Sequence, residues 1–168
     1  NYGFVMEANQ TYLIMVGAAA WSGVPYPEPV PGGDLHLRIM SIIPHDAFAA
    51  AWQINELPFE HGGSLSASTM YATTEDGEPF PACASGYPAG KTLWYAYYAG
   101  STERAVAQVE ALGFPVFVGV YTGPSLSDLN HVACWSGGEN QTLDFEGGRT
   151  YYFQVGSLDS SGEQFTFR

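Results

Sequence analysis

Positive charge is scarce in this sequence. One Lys and four Arg stand against 17 acidic residues, leaving a net charge of −12. Such a chain repels nucleic-acid phosphates and anionic lipid head groups, so neither is an expected partner. No stretch approaches the roughly 18 consecutive apolar residues of a membrane-spanning helix, so membrane insertion is not expected. Charged residues make up only 13% of the chain and hydrophobic residues 46%. Intrinsic disorder, which needs the opposite balance, is excluded. No leader peptide is legible, because Asn1 opens directly onto strand-like sequence. If the protein is secreted, its signal is expected to have lain upstream. Cysteine is rare too: Cys83 and Cys134 are the two present. By themselves they read either as buried thiols or as a disulfide.

Aromatic residues are abundant, at 15%, beside 20 Gly and 11 Pro. That mixture favours strands joined by tight turns. An internal repeat is the most informative pattern. Glu7–Gly17 reads EANQTYLIMVG and Glu146–Gly156 reads EGGRTYYFQVG, both fitting E-x-x-x-T-Y-x-x-x-V-G. Upstream, Phe4 and Met6 match Leu143 and Phe145. Downstream, GGDLHLRI (Gly32–Ile39) matches SGEQFTFR (Ser161–Arg168), after a Pro- and Gly-rich insertion, AAAWSGVPYPEPVPGG. Residues 1–43 are therefore expected to be the last strands of a preceding repeat, and 44–168 a complete one. Three such strands cannot bury an apolar face alone, so they are expected to pack on a β-sandwich of their own chain or of a neighbour.

Within 44–168, strands are predicted at Thr92–Tyr98, Val116–Tyr121, His131–Trp135, Thr142–Glu146, Thr150–Val155 and Gln164–Arg168, with the fourth and fifth forming a hairpin around Gly-Gly-Arg. Short strands at this spacing predict an all-β antiparallel sandwich, jelly-roll or immunoglobulin-like. Two segments read both ways. Ser101–Gly113 is either a capped helix or an alternating strand with Ala105, Ala107, Val109 and Ala111 on one face. Asp46–Ile54 is either one or two helical turns capped by Asp46, or an irregular entry.

Several motifs follow one another in a particular order here. PHDAFAAAWQINELPF (Pro44–Phe59) precedes Thr73-Thr74-Glu75-Asp76-Gly77-Glu78-Pro79 and Cys83. Then come Thr92-Leu93-Trp94-Tyr95, the run Val120–Leu129, Val132-Ala133-Cys134 and Thr150–Gly156. This order resembles the bacterial pre-peptidase C-terminal domain and its relatives. His45-Asp46 departs from the Asn-Asp or Asp-Asp that usually precedes the Phe in that family. The resemblance implies a β-sandwich found as tandem modules in secreted or surface proteins, with no catalytic residues. It further implies a strand at Ser101–Ala111 and a Cys83–Cys134 disulfide.

Candidate chemistry is sparse. No G-x-S-x-G elbow occurs, and the four histidines (His36, His45, His61, His131) read as surface or edge residues. Asp46, Glu75, Asp76 and Glu78 could contribute to a calcium site, which needs about six to eight oxygen ligands. No calcium-loop spacing supports that, and a solvated turn is the plainer reading. The aromatic run Trp94, Tyr95, Tyr97, Tyr98 reads as core before it reads as a sugar platform. Trp21 and Tyr26, in the insertion, are the better recognition candidates. Asn9-Gln10-Thr11 and Asn140-Gln141-Thr142 are sequons without further support.

The expected function is a non-catalytic structural or adhesive repeat module, secreted or on the cell surface. It is expected to assemble by strand complementation with neighbouring repeats or identical subunits into a polymer or filament. The alternative is an accessory domain of a larger secreted hydrolase that binds polysaccharide or an extracellular protein. No cofactor is expected other than calcium.

Overall fold

A computed structural model describes residues 10–16, 43–85, 90–111, 113–159 and 162–168. The chain divides into two units, Asn1–Met40 and Ser41–Arg168. The second is an all-β sandwich of nine described strands. In chain order these are β1 (Trp52–Ile54), β2 (His61–Gly62), β3 (Thr92–Ala99), β4 (Glu103–Ala111), β5 (Val116–Thr122), β6 (Asn130–Ser136), β7 (Asn140–Phe145), β8 (Arg149–Ser157) and β9 (Phe165–Phe167). One sheet has the order β1-β3-β8-β5-β6 and the other β2-β9-β4-β7. Pairing is antiparallel throughout except between β1 and β3.

The ambiguous segment Ser101–Gly113 carries strand β4 (Glu103–Ala111). Ala107 and Val109 point into the core, while Arg104, Val106 and Glu110 are exposed. Period-2 burial and pairing to β7 override the helix propensity of its Ala and Glu residues. The Asp46–Ile54 segment forms a single 3-10 turn, Phe48–Ala50, followed by β1. Asp46 does not cap that turn. Its carboxylate instead accepts the backbone N–H (2.6 Å) and hydroxyl (2.7 Å) of Thr73.

The expected β7–β8 hairpin is absent, because the two strands belong to different sheets. Both alternate with an apolar face, and these faces meet across the core: Phe145 lies 4.7 Å from Tyr151 and 6.4 Å from Phe153, ring to ring. The chain arches over the sandwich end at Gly147-Gly148. Gly148 has φ +81°, and a side chain at Gly147 would strike the backbone of Ser101 and Thr102. Tyr151 Oη accepts the N–H of Glu146 at 2.8 Å and so pins the arch.

Tyr95, Tyr97, Phe145, Tyr151, Phe153, Phe165 and Phe167 dominate the core, packed mostly edge-on or tilted, as ring quadrupoles prefer. The β1-β3-β8-β5-β6 sheet is covered on its outer face as well. Buried Trp94, Gln154, Phe117 and Tyr121 lie there beneath the strap of residues 73–85, and Ala84, Phe117 and Leu158 form a second small core with Cys83. Burial on both faces explains why β3 and β5 read as continuous apolar runs rather than alternations. The aromatic run of β3 is core: Trp94, Tyr95 and Tyr97 are buried, and Tyr98 alone of the four is exposed.

The strap is fastened at two points. One is the Cys83–Cys134 disulfide, which ties it to β6. The other is Glu78, whose carboxylate accepts from Thr92 Oγ1 (2.6 Å), Gln154 Nε2 (2.8 Å), Trp94 Nε1 (3.4 Å) and the N–H of Glu75 (2.9 Å). Removing it strands donors that the strap keeps from water. Glu78→Ala is therefore expected to lower the unfolding free energy by about 2 kcal/mol. Urea titration checks this, with Asp76→Ala, at an exposed turn position, as the unaffected control.

Candidate functional site

Thr11–Val16 is the first-repeat counterpart of Thr150–Val155 in β8, and the two segments have opposite surroundings. In β8, hydrogen-bonded to β3 and β5, Tyr151, Phe153 and Val155 face the core, while Gln154 is buried on the outer face. Their counterparts Tyr12, Ile14 and Val16 are 40%, 42% and 46% exposed, whereas Leu13 and Met15 are 95% and 97% exposed. The exposures alternate with the period of a strand. Two almost fully exposed long apolar side chains flanking a half-covered Ile are costly in water.

The sandwich offers four edges among the described strands: β1, β2, β6 and β7. On one flank, β1 and β2 are three and two residues long. That flank is stitched across the two sheets by Trp52 of β1 stacked on His61 of β2, with centroids 4.6 Å apart and planes at 30°. His45 lies beneath them, in ring contact with Trp52 (5.4 Å), His61 (5.6 Å) and Tyr95 (4.9 Å). It is fully buried, correcting its reading as a surface residue, and neither ring nitrogen has a hydrogen-bond partner. Burial, reinforced by the neighbouring His61, pushes its pKa down to about 4. Burial also lowers the pKa of His61. Sequence offers no signal for this cluster, since its members lie on segments too short to show a period.

His61 places Nδ1 at 3.0 Å from Tyr95 Oη and Nε2 at 2.9 Å from Ser66 Oγ. A serine and a histidine are thus in hydrogen-bond contact. The second ring nitrogen meets a buried phenol, held protonated by desolvation, rather than the carboxylate that orients a catalytic base.

Three of the four acids considered for calcium serve as internal fasteners. Asp46 holds Thr73, Glu75 Oε2 accepts the N–H of Phe48 at 2.6 Å, Glu78 holds the outer network, and Asp76 is exposed at the Gly77 turn. Among the described residues no three His, Cys, Asp or Glu side chains gather where they could hold a metal ion. His131 lies exposed on the β6 edge, and Asn140 is an exposed residue opening β7. Trp21, Tyr26, His36 and Asn9 lie outside the described residues. Among the described residues no helix is long and apolar enough to cross a membrane.

No family model and no curated protein matches this sequence.

Proposed function

We propose that this chain is a non-catalytic structural or adhesive module, secreted or surface-borne and of the pre-peptidase C-terminal kind, that assembles by strand complementation. The observation that carries this reading is the contrast between Thr11–Val16 and β8. The sequence that buries its side chains in the central strand β8 of one repeat leaves Leu13 and Met15 uncovered in the other. Main-chain pairing gives such a segment affinity and its alternating side chains give it specificity. The Cys83–Cys134 bridge supports an oxidising compartment. Sedimentation of the full chain over a concentration series tests the reading. The expected result is a mass that rises with concentration in the wild type and stays monomeric in Leu13→Lys/Met15→Lys.

A second reading, an accessory binding domain of a larger secreted hydrolase, draws on a different feature. A hollow of about 440 Å³ at one end of the five-stranded sheet is lined by Thr122, Asn130, Arg149, Thr150 and Tyr152. A guanidinium, an aromatic ring and several hydrogen-bonding side chains together suit an acidic saccharide. A glycan array separates the readings: retention of acidic glycans, abolished by Arg149→Ala, favours the binding domain.

A further inference from the structure

Resting on the saccharide-binding reading, we propose that the rim of the five-stranded sheet holds two adjoining sugar subsites. Arg149 takes the carboxylate of a uronate, and Tyr98 stacks on the next sugar of the same chain. Across β3 and β8, Tyr98 pairs with Thr150 and Ala99 with Arg149. Tyr97 turns inward, where its ring meets Phe145 at 5.3 Å. Strand alternation therefore turns Tyr98 outward, together with its partner Thr150. Tyr152 lies diagonal to Tyr98 on that face and lines the hollow with Thr150 and Arg149. The outer face of β3 is covered at Trp94 and Ala96 and opens at Tyr98, which is 60% exposed. An open ring and a polar hollow thus share one surface.

The wall between the two subsites is set before a ligand arrives. Phe48 packs on Tyr152 at 4.5 Å and donates its N–H to Glu75 at 2.6 Å. Such preorganisation spares a ligand the cost of ordering the site. A tyrosine ring suits the apolar C–H face of a pyranose. The hydroxyls of Thr122 and Thr150 and the carboxamide of Asn130 line the hollow, and each can donate to or accept from a sugar hydroxyl. Arg149 is the one charged side chain of that lining. Its Nε already meets Glu146 Oε2 at 2.8 Å, with both side chains more than half exposed. A pair so exposed is weak in water. The guanidinium keeps further N–H donors in a fork that fits a carboxylate. Glu146 nevertheless repels a second carboxylate, so it holds the affinity below what Arg149 alone would give.

Titration of the full chain, followed by protein NMR, tests this with tetragalacturonate, tetramannuronate, a chondroitin tetrasaccharide and the matching free uronates. The wild type is expected to bind at least one tetrasaccharide, and more tightly than its free uronate. Arg149→Ala is expected to weaken both about tenfold or more. Tyr98→Val, which keeps strand propensity, is expected to weaken the tetrasaccharide about fivefold and to leave the free uronate unchanged. Tyr98→Phe keeps the ring and is expected to stay near wild type. Glu146→Gln is expected to tighten both ligands about threefold. Thermal melting of each variant checks its fold. Weakening in Arg149→Ala with none in Tyr98→Val overturns the second subsite and leaves the saccharide-binding reading standing. Weakening in Tyr98→Val with none in Arg149→Ala overturns the assignment of the carboxylate. A wild type that binds none of these saccharides overturns the proposal and that reading together.

Discussion

Replacing both Cys83 and Cys134 with serine is expected to lower the unfolding free energy by about 4 kcal/mol, from the chain entropy of the loop alone. The bridge joins residues 51 positions apart, so its loss frees a large loop in the unfolded ensemble. The native consequence is more local. Cys83 anchors the 3-10 turn Ala82–Ala84 to β6, and Ala84 packs on Phe117 and Leu158. Without the bridge, Glu78 becomes the main fastener of the strap, and residues 79–85 are expected to become protease-sensitive before the core does. Urea titration of the double variant measures the first effect and limited proteolysis the second. A loss below about 1 kcal/mol falls outside the chain-entropy account.

Acid is expected to cost the fold about 3 kcal/mol between neutrality and pH 4 through His45 alone. Its imidazole is neutral in the folded state, with the pKa lowered from the ordinary 6.5 to about 4. As pH falls below 6.5 the unfolded chain takes up the proton first and gains stability relative to the fold. The loss grows until about pH 4, below which both states are protonated and no further loss arises from this group. His61, lowered by burial, acts with the same sign. Asp144 acts later, because its carboxyl is held below 3.8 by Arg104 and its contribution is lost only as pH falls through that region. His45→Leu removes the titrating group along with two unmatched polar nitrogens. It is expected to match or exceed wild-type stability at pH 7 and to lose most of the slope between pH 6.5 and 4. Urea midpoints at pH 7, 5.5 and 4 read this directly, and an unchanged slope in the variant would remove His45 as the cause. The flank stitched by Trp52 on His61 is where acid-induced opening is expected to begin.

The parts of the fold that announce themselves in the sequence are those with a long enough period or run. Val116–Thr122 and Thr92–Ala99 are unmistakable because burial on both faces leaves no polar interruption. The alternation of Ala107 and Val109 was present in β4 but balanced by helix-forming composition, and only pairing to β7 decides it. The Gly-Gly-Arg connection looks like a hairpin because local sequence reports a reversal of the chain, not which sheet the next strand joins. β1 and β2 are too short to carry a period, which also hides the histidine cluster they hold together. Glu75 and Glu78 looked like solvated or metal-binding acids because their donors, the Phe48 N–H and the Thr92 and Gln154 side chains, are distant in sequence. The matched pair of segments, Thr11–Val16 and Thr150–Val155, was legible as a repeat. Their contrast in exposure was not, since identical periodicity serves a covered and an uncovered segment alike.

The backbone amides of Thr11–Val16 report on that contrast most directly. Hydrogen exchange of the full chain, followed at nanomolar and at high micromolar concentration, is expected to show these amides more strongly protected when concentrated than when dilute. The amides of β8 should remain protected at both concentrations. Exchange of Thr11–Val16 that is the same at both concentrations, whether fast or slow, would contradict assembly through this strand.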